Sequence, residues 1–148
     1  MGCGRLNSHG YHIRSVWAEG ADHSLCTFSP EPWHTALPGY VYGGLLASVI
    51  DCHATGTAAA FAHRERGDAP YPRFVTASLT VDFLKPTPLA PFRVEGRVLT
   101  HEGRRIILEC TVVSGGDITV RGQVSVAQIT RMDWPTRLAP ESASSGTP

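Results

Sequence analysis

The sequence predicts an α+β domain in which an antiparallel sheet wraps around one long central helix. Three observations carry this expectation. Residues 44–66 are rich in helix formers and stop at Gly67, as helices tend to do. Four later segments, residues 74–84, 92–100, 105–113 and 118–129, show strand-like alternation or β-branched density. Two shorter segments, residues 13–17 and 25–28, flank the turn-like Glu19-Gly20-Ala21-Asp22 and read as a short opening hairpin.

Each connection follows from its composition. Pro30, Pro32 and Pro38 are expected to prevent regular structure until Gly39, because proline removes a backbone donor and restricts the residue before it. The helix is followed by the turn-rich Gly67-Asp68-Ala69-Pro70-Tyr71-Pro72. The separators Lys85-Pro86-Thr87-Pro88, His101-Glu102-Gly103 and Ser114-Gly115-Gly116-Asp117 have the lengths and residue types of tight turns, which predicts a four-stranded meander. Residues 1–130 are read as a single domain. The proline- and serine-rich residues 131–148 lack periodicity and are expected to form a flexible C-terminal tail.

Composition narrows the function classes. The 148 residues are 42% apolar and 18% charged, an ordinary soluble balance with enough apolar material for one core. Thirteen basic and thirteen acidic residues cancel, so nothing suggests a nonspecific grip on nucleic acid or an anionic membrane. Cys3, Cys26, Cys52 and Cys110 lack metal-ligand spacing and read as reduced, with no metal expected. With no charged-then-apolar leader and no run of eighteen apolar residues, a cytoplasmic location is expected.

The chemistry is expected where Pro38-Gly39-Tyr40-Val41-Tyr42-Gly43-Gly44 runs into the helix. A Gly-Gly step there lets a ligand reach backbone N–H groups that have no intrahelical partner, at the positive end of the helix dipole. Asp51, eight residues after Gly43, is a lone carboxylate among Leu45, Leu46, Val49 and Ile50, where burial without a partner would be costly. Helical rise puts Gly43 and Asp51 about 12 Å apart along the axis, beyond the reach of an aspartate side chain. If both act on one substrate, they must come from two subunits with antiparallel helices. The reading therefore implies a two-fold homodimer with composite interface sites.

The element order, with the segments PGYVYGGLLASVID and TASLTVDFLKPTP, resembles the hotdog-fold thioesterases, specifically their phenylacetate-pathway (PaaI-like) branch. The resemblance covers roughly residues 5–130. Gly43-Gly44, Asp51 and Lys85-Pro86 match the family pattern, and the opening Cys-Gly-Arg-Leu-Asn-Ser-His-Gly is similar to its N-terminal signature. Two positions depart from it. Tyr42 stands where the family has histidine, and Ala36 stands where an asparagine is common.

The resemblance implies hydrolysis of an acyl-CoA or acyl-carrier-protein thioester, with no cofactor beyond the CoA thioester substrate, in a homodimer that can pair again as a dimer of dimers. The Gly43 N–H would polarise the carbonyl, Gly44 would keep the approach open, and Asp51 would serve as general base or nucleophile. Tyr42 supplies a hydroxyl or only shapes the pocket, and Thr76 corresponds to a hydroxyl that orients water. Thr76, Ser78, Thr80 and Asp82 alternate with apolar residues, so one strand face is read as hydroxyl-rich. Substrate-binding candidates are His34, which lies close enough in sequence to replace the missing polar group; Leu46, Ile50 and Phe83 for the acyl wall; and Lys85, His101, Gly103, Arg104 and Arg105 along the CoA path.

Each residue also has a structural reading. Gly43-Gly44 can be a tight helix start, Asp51 a dimer-locking hydrogen-bond group, Thr76 an ordinary strand threonine, and His34 a packing residue. His53 reads as a satisfied core or interface histidine. Two other functions stay in view: a noncatalytic acyl-CoA-binding or sensor protein of the same fold, and a hydratase or dehydratase, disfavoured because such enzymes use a histidine that this helix start lacks.

Overall fold

A computed structural model describes residues 7–67 and 71–129. Cys3, the first residues of the N-terminal signature and the expected tail at 131–148 lie outside the described residues. In chain order the elements are β1 (Val16–Trp17), β2 (His23–Phe28), β3 (Thr35–Leu37), β4 (Tyr40–Val41), α1 (Gly43–Arg66), β5 (Arg73–Phe83), β6 (Phe92–Glu102), β7 (Arg105–Ser114) and β8 (Asp117–Ile129). The α+β arrangement expected from the sequence is present: α1 packs against β5, β6, β7 and β8 of one six-stranded antiparallel sheet.

Helix α1 buries Leu45, Leu46, Val49, Ile50, His53, Ala54, Thr57, Ala58 and Ala62, a helical stripe facing the sheet. It ends at Gly67, which takes the left-handed conformation (φ 63°) and donates its N–H to the His63 carbonyl. By length and hydropathy this helix would also suit a membrane span. Here its apolar stripe is covered by Val94, Ile106, Leu108, Val120, Val124 and Val126, all fully buried. Cys110, which its apolar run marks as filler, is buried in the same core together with Cys26, and burial pushes both thiols up to about 12, whereas Cys52, in an equally apolar run, is only half-buried.

Two expectations about the connections are corrected. The three prolines do not exclude regular structure: Thr35-Ala36-Leu37 fits between Pro32 and Pro38 and pairs with Tyr40–Val41 as a two-stranded ribbon. Gly39 turns it at φ 83°, and the Thr35 hydroxyl donates to the carbonyls of Leu37 and Tyr40. The four long strands also do not form a meander. The sheet order is β1-β2-β6-β7-β8-β5, so only β6, β7 and β8 follow one another and β5 lies at the far edge. The β5–β6 link carries Pro86, Pro88 and Pro91 and crosses the end of the sheet instead of closing a hairpin. It is fixed there by the buried Thr87, whose hydroxyl donates to Thr119 Oγ1 (2.8 Å) and whose carbonyl accepts the Val41 N–H.

The closest fit of helix to sheet is at Gly122 of β8. A Cβ there would lie 2.9 Å from Ile50 Cγ2, and Ile50 is fully buried and has nowhere to retreat. Gly122→Ala is expected to cost about 1–3 kcal/mol of stability by overpacking, read as a lowered denaturant midpoint at unchanged slope.

Candidate functional site

Tyr42 is the N-cap of α1 in extended conformation (φ −73°, ψ 143°), with no side-chain capping bond. Its N–H donates to the His34 carbonyl, and its own carbonyl accepts from the N–H groups of Leu45 and Leu46. Among the described residues, the Gly43 and Gly44 amides have no acceptor. The first turn holds no acidic side chain, so the positive end of the helix is open to an anionic or carbonyl oxygen.

Both glycines lie against aromatic rings. A Cβ on Gly43 would come 3.0 Å from Phe83 Cζ, and one on Gly44 would come 3.1 Å from Tyr42 Cε2. The Phe83 and Tyr42 rings thus occupy the space a side chain at Gly43 or Gly44 would take, and Phe83 is 55% exposed. Of the acyl-wall candidates, Phe83 alone reaches this opening. Leu46 and Ile50 are sealed in the core beneath the sheet and offer no surface to a ligand.

Asp51 is half-buried on the side of α1 turned away from the sheet centre, and Thr76 Oγ1 of β5 donates to its Oδ1 at 2.5 Å. The hydroxyl-rich face expected on β5 is corrected by a β-bulge. The pairing passes from Thr76↔Val126 to Ser78↔Ser125, leaving Ala77 as an extra residue. Phe74 and Thr76 face the helix before the bulge, and Leu79 and Val81 face it afterwards, while Ser78, Thr80 and Asp82 are exposed. The strand carries its inward residues in two phases, even then odd, and one inserted residue reconciles them. Thr76 is thus a hydroxyl among apolar neighbours, aimed at the only carboxylate of α1's middle turns.

His34 points into an aromatic cluster, with ring centroids 6.0 Å from Phe28, 6.3 Å from Tyr11 and 6.4 Å from Tyr42. Its Nδ1 accepts the Glu31 N–H at 3.0 Å, so the neutral ring carries its proton on Nε2. Lys85 lies beyond Phe83 and is ion-paired with Asp117 at 3.1 Å.

The candidates for the CoA path are not brought to the Gly43 end of the same chain. His101 pairs with Glu65 in the last turn of α1 (2.9 Å), Gly103 forms the β6–β7 turn at φ 59°, and the Arg104 carbonyl accepts the Gln128 N–H. Glu65 lies 22 residues beyond Gly43 on one continuous helix, about 33 Å along its axis, so these groups occupy its opposite end. There His101, Phe61, Trp17 and Arg64 line an open groove of about 640 Å³, with the Arg64 guanidinium 5.0 Å from the Trp17 ring centre.

His53 has the core role expected of it, with partners that spacing did not reveal. Ser15 Oγ lies 2.7 Å from Nδ1 and Ser24 Oγ lies 3.1 Å from Nε2, while Ser24 and Thr57 share a further hydrogen bond. Burial pushes the imidazole down to about 4. Tyr11 was also missed. It lies in an unstructured-looking segment, and only its alternation with Ile13, both packed on the core, marks it as inward-facing.

Residues 38–121 match the model of a family described as the thioesterase superfamily. The chain is similar to the acyl-coenzyme A thioesterase THEM4 of Xenopus laevis, 32% identical over 109 residues, covering 73% of this chain and 45% of the relative. The Rattus norvegicus protein of the same name is 27% identical over 117 residues, covering 78% of this chain and 46% of the relative. The chain thus spans about half the length of the curated relatives it matches. A crystal structure of a thioesterase superfamily protein from Shewanella loihica is 37% identical, covers 82% of this chain and 95% of its own, and superposes with a TM-score of 0.66.

Proposed function

The chain belongs to the thioesterase superfamily, and from that premise we propose that it hydrolyses an acyl-CoA thioester to a free acid and CoA thiol, in the manner of the PaaI-like branch. The observation that carries this reading is the partly exposed Asp51, held by Thr76 on the same helix that leaves the Gly43 and Gly44 amides without acceptors. The thioester carbonyl oxygen accepts from the Gly43 N–H, and the tetrahedral oxyanion is stabilised there. Asp51 either takes a proton from the attacking water or attacks the carbonyl itself to give a mixed anhydride that water then opens. Thr76 orients the carboxylate in both routes.

One chain cannot complete this site, because Gly43 and Asp51 are about 12 Å apart along α1. A second copy supplies the missing group. Its approach is supported by the edge position of β5, where Val75 is 47%, Phe83 55% and Leu84 53% exposed, beside the open side of α1 that carries Asp51. Two antiparallel α1 helices place each Gly43 amide against the other's Asp51.

The test is a panel of short, long and aromatic acyl-CoAs, with released thiol followed by a thiol reagent. Thiol release from at least one member, by a protein that sediments as a dimer or dimer of dimers, is the expected result. A noncatalytic acyl-CoA-binding protein is the second reading, favoured by the Tyr42 ring covering Gly44 where the family has histidine. Tight binding of acyl-CoA without thiol release from any member would decide for it.

A further inference from the structure

The groove at the far end of α1 takes no part in the chemistry above. Arg64, on its wall, lies about 20 Å beyond Asp51 along the helix axis, at the end away from Gly43. The floor of the groove is apolar and its parts are fixed. The Trp17 ring is held by a hydrogen bond from Nε1 to the Ala21 carbonyl (2.9 Å), and Phe61 packs against both Trp17 (6.4 Å between ring centroids) and His101 (5.6 Å). On the β6 side the register shifts between Val98 and Thr100, which leaves Leu99 as the extra residue of a bulge. Leu99 lines the groove and is 50% exposed.

The charges around this floor do not cancel. Asp22 is paired with Arg97 (2.5 Å) and with His23 (3.3 Å), and Glu65 is paired with His101 (2.9 Å). Both acids of the groove therefore have partners. Arg64 has none of this kind: its guanidinium lies 5.0 Å from the Trp17 ring centre, and among the described residues no acid pairs with it and no acceptor takes its N–H groups. A guanidinium that rests on an aromatic ring keeps its N–H donors for another group, and its planar fork fits a carboxylate through two parallel bonds. One unmatched positive charge beside an apolar floor is complementary to one negative charge on an apolar body.

We propose that this groove is a binding site for a monocarboxylate with an aromatic or aliphatic body, the carboxylate on Arg64 and the body on Trp17, Phe61 and Leu99. Other ligand classes fit less well. A nucleotide or other polyphosphate brings two or more negative charges to a single free cation, between Asp22 and Glu65 and at the negative end of the helix dipole. A quaternary ammonium has to displace Arg64 from the Trp17 ring. The inference does not rest on the hydrolase reading. No bond is formed or broken in the groove, and thiol release or its absence leaves the proposal untouched.

Calorimetric titration of the full chain with octanoate and with naphthoate is the test. Saturable binding to the wild type is expected. Arg64→Gln is expected to weaken it by about 10–100-fold, the loss that follows when a hydrogen-bonded charged partner is removed. Leu99→Glu sets a like charge in the groove and is expected to weaken binding at least about tenfold. The uncharged octanamide and naphthamide should bind the wild type as weakly as the acids bind Arg64→Gln, and inorganic pyrophosphate should give no heat that Arg64→Gln removes. Melting curves accompany both variants. Should Arg64→Gln fail to fold, because Arg64 also packs on Trp17, the exposed Leu99→Glu carries the comparison. The proposal is overturned if the wild type binds neither acid at millimolar concentration, as a merely structural Arg64 requires. It is equally overturned if neither variant weakens binding, which places the acid elsewhere, if the amides bind as tightly as the acids, or if pyrophosphate binds in an Arg64-dependent way.

Discussion

Asp51→Asn is expected to lower kcat on the best acyl-CoA of the panel by about 10²–10⁴-fold, the range lost when a general base is removed. The substitution is a clean one in this setting. An asparagine carbonyl oxygen can still accept the Thr76 hydroxyl that Asp51 Oδ1 now accepts, so the helix-to-strand contact and the bulge at Ala77 survive. What disappears is the negative charge and the ability to take a proton or attack a carbonyl, which removes both routes at once. Thr76→Val is the companion experiment. It keeps the shape and removes one hydrogen bond to a charged group, with an expected loss of about 10–100-fold. Sedimentation should be unchanged in both variants, whereas a dimer lost in Asp51→Asn would assign the carboxylate to assembly instead of chemistry.

The second large effect is on stability and comes from His53. Its imidazole is fully buried and pushed down to about 4, against about 6.5 in an unfolded chain. The unfolded state therefore binds the extra proton between these values, and folding stability rises with pH through that window. The sign follows directly: the contribution is fully present above about pH 6.5 and is lost as the solution is acidified toward pH 4. A shift of this size corresponds to about 3 kcal/mol. Denaturant midpoints at neutral and mildly acid pH measure it. In His53→Leu the slope across that window is expected to flatten, while stability at neutral pH drops by about 1–3 kcal/mol because the buried Ser24 hydroxyl and the half-buried Ser15 hydroxyl lose a partner. An unflattened slope would place the titration on other groups.

Local signals carried the sequence reading a long way. The helix end at Gly67 and the four long strands fall within a few residues of expectation, because capping glycines and strand alternation are properties of short stretches. The short β3–β4 ribbon escaped because proline-rich composition says where hydrogen bonds are excluded, and the five residues between Pro32 and Pro38 were enough to hold a three-residue strand. The position of β5 beyond β8 escaped for a different reason. Strand order depends on which edges pair in space, and the link through Pro86, Pro88 and Pro91 reveals only that no tight hairpin is made.

For the candidate site, residue types were legible and their company was not. Gly43, Gly44, Asp51 and Thr76 were singled out by motif and likeness, and the Thr76–Asp51 contact joins residues 25 apart through a bulge that strict alternation would have denied. Leu46 and Ile50 were placed on a ligand wall because an apolar residue on a helix looks the same whether it faces a pocket or a sheet. His101 to Arg105 were grouped with the site by likeness, and within one chain the continuous helix holds them at the end opposite Gly43.

By itself the sequence determined the α+β class, the single long helix with its glycine start and stop, and the identity of the acid in its middle turns. Only the tertiary structure decided that Asp51 has Thr76 as its partner, that His53 is enclosed by Ser15 and Ser24, and that Tyr11 packs on Phe28 and His34. The physical reason is that periodicity and capping are set by neighbours a few residues away, whereas desolvation and hydrogen bonding are set by whatever the folded chain brings alongside.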